Sequence, residues 1–311
     1  MNERTLVYGL GKEYQEHKDW VAENFNVTGY CDQVVERMPA EGAVRKEELK
    51  ERLAEFDLVL VTADPVSIVA DLLEEFGVPL EKIRVLYYEL ARRKCSLRTF
   101  YGENAEDAVL MLLCSELGLP LKGLSYLEIG TNDPVRFNNT YNLYRLGARG
   151  LLVDPLPTVG ALIRMVRPAD RFLHAAVSGG GTDEPAQRTF YASKSSLVSS
   201  LSYEHHKAWD GITRNEVRAI PVDVLGINEV MDQMGSVPDL LLVDAEGEDE
   251  KIMRAFDYAR FHPKVVMVEM DHLDTSRENM IRFMDDHGYI VYTTIAYNTI
   301  FVAADVWNAR K

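Results

Sequence analysis

The chain has 311 residues, 47% of them hydrophobic, enough for two domains, or one large one, with filled cores. Its 34 Lys and Arg face 49 Asp and Glu, and the resulting net charge of −15 argues against a general affinity for nucleic acid or anionic membrane. Three scattered cysteines (Cys31, Cys95, Cys114) make no disulfide framework, and the sequence shows neither an N-terminal apolar leader nor a membrane-length apolar run, so a cytoplasmic protein is expected.

In chain order, residues 5–8 read as a strand running into Gly9-Leu10-Gly11, 12–25 as a helix, and 27–31 as a second strand ending at Asp32. A charged helix over 46–55, a strand over 58–62, a helix over 65–76 closed by Gly77 and a strand over 83–88 continue the alternation. Strands joined by helix-length connections pair parallel, so residues 1–95 are expected to form a small βα domain. The basic Arg92-Arg93-Lys94 breaks the pattern, which places a boundary near 93–100 and a second domain over 100–311.

That second domain opens with a helix over 106–117 ended by Gly118, then the strand Ser125–Ile129, a helix over 136–146 and a strand over 150–153. A helix follows at Pro157–Val166 and a strand at 171–177. Residues 178–217 read as irregular, with Gly179-Gly180-Gly181 and a serine-rich run over 193–202. Alternation resumes with a strand over 218–222 and a helix over 225–234. Leu240–Val243, wholly apolar, is expected as a central buried strand. A helix over 248–258, the strand Val265–Glu269, a helix over 277–287, the strand Tyr289–Ile295, a turn at Tyr297-Asn298 and a strand over 300–303 complete the chain. The last two strands lie too close in sequence to pair other than antiparallel.

Strand C-termini along one edge of a parallel sheet open into one crevice, where ligands sit. Here that edge gathers Glu128, Asp154, Asp244, Glu246, Glu269 and Asp271, with Ala176 between them. Gly130 would let a ligand approach the backbone, and Asp154 could take a ribose diol. The want of a full G-x-G-x-x-G after Glu128 points to a nucleoside without phosphates, of which S-adenosyl-L-methionine is the commonest. Crowded carboxylates raise one another's pKa values, and a cation relieves them: a sulfonium is one such cation, a divalent metal such as Mg another. Methyl transfer to a hydroxyl also needs that proton removed. Glu246 and His272 are the candidate bases, within a catalytic set that includes Asp244 and Glu269. His205-His206 with Trp209 could cover a substrate, and the serine-rich run could form a lid.

Several blocks, in this order and spacing, resemble the FkbM family of S-adenosylmethionine-dependent methyltransferases. They are Tyr101-Gly102-Glu103-Asn104-Ala105-Glu106-Asp107, Leu127-Glu128-Ile129-Gly130, Asn132-Asp133-Pro134-Val135, Asn139-Thr140-Tyr141, Gly150-Leu151-Leu152-Val153-Asp154-Pro155, Ser195-Ser196-Leu197 with Ser200-Leu201-Ser202, and Val243-Asp244-Ala245-Glu246-Gly247. The likeness spans roughly 100–303. It implies a class I methyltransferase Rossmann-like sheet, parallel with a terminal antiparallel hairpin, and O-methylation of a sugar or other small polar acceptor. It further implies that Glu128, Gly130 and Asn132 line the methionine and ribose part of the cofactor, that Asp154 binds the ribose, that Ala176 flanks the adenine, and that Asp244 and Glu246 lie at the acceptor. Leu242 replaces a common lysine, Met270 a common histidine and Glu103 a common glutamine. The first two are expected beside the acceptor and motivate the alternative of an inactive two-domain scaffold.

The first domain resembles the small Rossmann-type domain of some polysaccharide-biosynthesis proteins. It is read as a docking or dimerisation module, which would make the protein a homo-oligomer, or as a nucleotide site. Gly9, Gly11 and Asp32 have dinucleotide spacing and motivate a nucleotide-dependent oxidoreductase, although Tyr14 stands where a third glycine belongs.

Overall fold

The structure is a computed structural model that describes residues 3–93, 99–180, 186–193, 199–203, 217–271, 273 and 275–310. The chain divides into two compact units, Met1–Thr99 and Phe100–Lys311.

In the first unit the strands β1 (Arg4–Tyr8), β2 (Asn26–Cys31), β3 (Leu58–Val61) and β4 (Ile83–Val85) form one parallel sheet in the order β2-β1-β3-β4. The inner strand β3 is wholly apolar and wholly buried, as a strand covered on both faces must be. Two expectations are corrected here. Residues 46–55 break into short turns of helix, because Leu49 is the only buried residue along them and no apolar stripe holds a regular helix. The strand expected over 83–88 stops at Val85, and Leu86–Arg93 is a helix that buries Leu86, Tyr88 and Ala91.

The second unit is built on β5 (Ser125–Ile129), β6 (Arg149–Asp154), β7 (Arg171–His174), β11 (Leu240–Val243), β12 (Val265–Glu269), β13 (Tyr289–Ile295) and β14 (Asn298–Ala303). Their order is β13-β14-β12-β11-β5-β6-β7, parallel except for β14, which runs antiparallel to both neighbours. This is the expected parallel sheet closed by an antiparallel hairpin, with the apolar β11 at its centre. Alternate residues of β5, β6, β11 and β12 (Leu127, Ile129, Val153, Val243 and Val268 among them) face a core completed by Ile227, Val230, Ile252, Met253, Met280 and Met284. Side chains alternate along a strand, so Glu128 faces the other side of the sheet, with Leu242 and Leu152 as its register partners.

A second, three-stranded sheet has the order β8-β10-β9, where β8 is Ala176–Ser178, β9 Gln187–Ser193 and β10 Val217–Gly226. It corrects two expectations. Residues 171–177 are two strands, because the chain leaves the large sheet after His174 and joins the small one at Ala176. Residues 178–217 are not irregular throughout, because β9 pairs antiparallel with β10 from Gln187 to Ser193. Ala176, Phe190, Leu201, Val222 and Val224 share a small core that holds this sheet together.

The helix expected over 136–146 is confined to Tyr141–Arg145. Asp133 Oδ1 accepts from the Val135 and Arg136 N–H groups at 2.9 Å each, and Asn138 Oδ1 accepts from Thr140 N–H at 3.1 Å. Side chains that satisfy nearby amides in this way compete with helix formation. Among the described residues, no helix is long and apolar enough to cross a membrane.

Candidate functional site

At the tip of β5 the backbone turns through Gly130 at φ +81°. A Cβ there would overlap the Asp244 carbonyl oxygen. Glycine is therefore demanded by the contact between the β5 and β11 loops. Asn132 follows at φ +50° and donates its N–H to Asp154 Oδ2 at 2.8 Å, while Leu156 N–H donates to Oδ1 at 2.8 Å. Two amides thus fix the Asp154 carboxylate at the tip of β6. Burial pushes its pKa up to about 6, with a smaller push from Glu128, against the two amide bonds.

The strand tips surround a cavity of about 750 Å³, open solvent at its mouth included. Of the expected residues, Gly130, Asn132, Asp154, Ala176, Asp244 and Glu246 wall it. Ser199 and Leu201, from the serine-rich run, also wall it, as do Thr131, Phe137 and Phe190, which have no role assigned from the sequence. Thr131 could have been found by its place after Gly130. Phe190 could not, because β9 is held by its distant partner β10 and lacks a clear alternation of its own.

Glu128 does not wall the cavity. Its carboxylate accepts from Thr140 Oγ1 at 2.7 Å and from Asn138 Nδ2 at 3.2 Å, and it lies 3.7 Å from Arg167 Nη1. Burial raises its pKa, while Arg167, Thr140 and Asn138 oppose the rise.

Asp244 and Glu246 sit on the loop after β11. The helix Asp249–Ala255 is joined to this loop by its own first residue: Asp249 Oδ1 accepts from Ala245 N–H at 2.7 Å, and Oδ2 accepts from Gly247 N–H at 3.1 Å. Glu246 is left-handed, at φ +49°, and its carbonyl accepts from Ser200 Oγ at 2.7 Å. Burial, then Asp249, Glu103 and Asp271, pushes its pKa up to about 8. Burial, then Glu246, Asp249, Glu128 and Glu103, raises that of Asp244 well above the ordinary carboxylate range.

Glu269, at the end of β12, is outside the cavity wall, and its Oε2 is buried with no hydrogen-bond partner. Burial, then Asp244, Asp249, Glu246 and Asp271, pushes its pKa up to about 11. His272 lies outside the described residues, as do His205, His206, Trp209, Ser195, Ser196 and Leu197. Among the described residues, no three His, Cys, Asp or Glu side chains are grouped as a metal site. Leu242 and Met270 are both buried, Met270 in the main core, and neither is among the wall residues.

In the first unit, Asp32 accepts from the Leu10 and Val34 N–H groups, the same two-amide arrangement found at Asp154. Gly9 is left-handed at φ +102°, and a Cβ there would press on Ala63.

No curated protein matches the chain. Among solved structures, the methyltransferase FkbM of Methylobacillus flagellatus is 13% identical, with 96% of this chain and 90% of that one covered, at a TM-score of 0.36. A TehB-like SAM-dependent methyltransferase of Corynebacterium glutamicum is 10% identical, with 70% of this chain and 94% of that one covered, at a TM-score of 0.35. The sequence pattern of the methyltransferase FkbM domain matches residues 128–291, from the buried acid of β5 into β13 and across every loop that walls the cavity. With more than half of its length matched, the chain belongs to the FkbM family of S-adenosylmethionine-dependent methyltransferases.

Proposed function

We propose that the protein methylates a hydroxyl of a sugar or related small polar acceptor, with S-adenosylmethionine as donor. The observation that carries this reading is the convergence of Asp154, Asp244 and Glu246 on one cavity at the strand tips. The residues fit the cofactor. Asp154 can take a ribose diol while keeping its two amides, since each carboxylate oxygen accepts more than one hydrogen bond. Ala176, Val177 and Leu156 offer an apolar slot for a base. Thr131 Oγ1 and Asn132 Oδ1 belong to wall residues and are buried without partners. Orphaned polar atoms of this kind are what a polar ligand would satisfy.

Bound there, the cofactor supplies an electrophilic methyl group. The protein has to align the acceptor oxygen, exclude water and take the proton. Glu246 suits the last task, because a carboxyl with a pKa near 8 is poised between its two forms close to neutral pH. Burial and the nearby Asp249, Glu103 and Asp271 hold that carboxyl's pKa up.

Calorimetric titration tests the cofactor. Saturable heat with S-adenosylmethionine supports the reading, and neither heat nor thermal shift at millimolar ligand would overturn it. Labelled-methyl incorporation across a panel of sugars then tests the acceptor. Glu246→Gln is expected to lower kcat about 100-fold or more while S-adenosylhomocysteine binds as before. Equal turnover would remove Glu246 as the base. Thr131→Val keeps shape and removes only the hydroxyl, so we expect cofactor binding about tenfold weaker with unchanged thermal stability.

The first unit we propose as a docking or dimerisation module, tested by whether its removal changes the mass of the particle in solution. A nucleotide role for Gly9, Gly11 and Asp32 requires a change in NADH fluorescence on mixing.

A further inference from the structure

Among the described residues that wall the cavity, Phe137 alone is exposed, at 39%, which puts its ring at the mouth. Its backbone is left-handed, at φ +54°, a conformation rare for a bulky side chain. The neighbouring residues enforce it. Val135 and Asn138, on either side, are buried. Asp133 holds the Val135 and Arg136 amides, and Asn138 donates its N–H to the Tyr101 carbonyl at 3.1 Å. The Asn138 side chain is fastened in turn to Glu128 and Arg167. Buried anchors before and after leave residues 136 and 137 to project together. Backbone strain kept up by its surroundings in this way clusters at ligand sites.

The Arg136 guanidinium lies over this ring, its carbon 5.0 Å from the ring centroid. Among the described residues it makes no ion pair and no side-chain hydrogen bond. Stacking occupies a face of the guanidinium, whereas its N–H donors lie in its plane, so the fork stays open to a carboxylate. The stack also fixes a long, flexible side chain before any ligand arrives, which lowers the entropy lost on binding.

The cavity lacks such a group. Its wall carries Asp154, Asp244 and Glu246 and, among the described residues, no Lys, Arg or His. The cofactor's amino-acid tail ends in an α-carboxylate. With the ribose on Asp154 and the base among Leu156, Ala176 and Val177, the tail is left to the remaining wall, which Asn132 and Phe137 form with Asp244 and Glu246. The last two are acids and give an anion no partner. Resting on the cofactor reading above, we propose that Arg136, stacked on Phe137 at the cavity mouth, binds the α-carboxylate of the cofactor's amino-acid tail, and that Phe137 is the positioning residue that holds it there.

Two ligands isolate this contact. S-Adenosylhomocysteine carries the tail. 5′-Methylthioadenosine keeps the base, the ribose and a thioether sulfur but has a methyl group in place of the tail. The test is calorimetric titration of the full chain with each. Arg136→Ala is expected to weaken S-adenosylhomocysteine about tenfold or more, the scale of a lost charge-assisted hydrogen bond, and to leave methylthioadenosine within about twofold of the parent. Arg136→Lys, with the charge but not the fork, should fall between. Phe137→Leu removes the stack and keeps the arginine, so it is expected to cost S-adenosylhomocysteine more than methylthioadenosine. A merely structural role for either residue would weaken both ligands alike. Equal losses, or an Arg136→Ala variant that binds S-adenosylhomocysteine like the parent, would overturn the proposal and leave the cofactor reading intact. Absence of heat from both ligands with the parent would remove the two together.

Discussion

Arg167→Ala is expected to destabilise the second unit by about 3–5 kcal/mol, the scale for removing one partner of a buried ion pair. The guanidinium is fully buried and every nitrogen is used. Nε donates to Asp170 Oδ2 at 2.8 Å. Nη1 donates to Asn138 Oδ1 at 2.9 Å and to the Pro134 carbonyl at 3.3 Å. Nη2 donates to Tyr126 Oη and to Thr140 Oγ1, both at 2.8 Å. The rings of Tyr126 and Tyr144 lie 5.5 and 5.4 Å from the guanidinium carbon. Alanine would leave Glu128 and Asp170 buried without their cation and release the 133–140 segment that carries the cavity residue Phe137. In a unit of this size the loss corresponds to a Tm lower by roughly 10 °C. Arg167→Lys, which keeps the charge but not the planar fork, is expected to recover less than half of it. A Tm within a degree or two of the parent for the alanine variant would show that the network carries little stability.

Asp154→Ala is expected to weaken cofactor binding about 100-fold or more. The carboxylate does two things at once: it ties down the Asn132 and Leu156 amides, and it presents the remaining lone pairs to the cavity. Hydrogen bonds to a charged group contribute about 1.5–3 kcal/mol each, and loss of a ribose pair alone accounts for the hundredfold. Asp154→Asn keeps one acceptor oxygen and should fall between. The dissociation constant of S-adenosylhomocysteine measures this directly, since that ligand carries the ribose without the sulfonium. A folded alanine variant that binds within threefold of the parent would sink the assignment.

The elements that were readable to the residue share a physical reason. Ser125–Ile129, Leu240–Val243 and Val265–Glu269 are short buried strands closed by a glycine or an acid, and Pro157–Val166 has proline in its first turn. What escaped depends on partners distant in sequence. The segment 136–140 lies between a turn and a helix, Asp133 and Asn138 capture amides within it, and Arg167, some thirty residues on, fastens it. Strand β9 is stabilised by β10, far along the chain, and its weak alternation is hidden between glycines and serines. The turn from β7 to β8 changes sheets without changing hydropathy. In the site, an acid at a strand end reads as a ligand, and Asp154 and Asp244 do reach the cavity wall. Glu128 is one position short of the tip and on the opposite face from Leu127 and Ile129, which strand alternation alone implies. Nothing in Val166-Arg167-Pro168 announces that this arginine is interior.

One hydroxyl links the small sheet to the acidic loop. Ser200 bridges to Tyr191 through its backbone, beside the roof residues Phe190 and Leu201, and its Oγ reaches the Glu246 carbonyl. Whoever redesigns that roof for a different acceptor inherits a restriction: position 200 must keep a donor, or the residue proposed to receive the proton loses its tether.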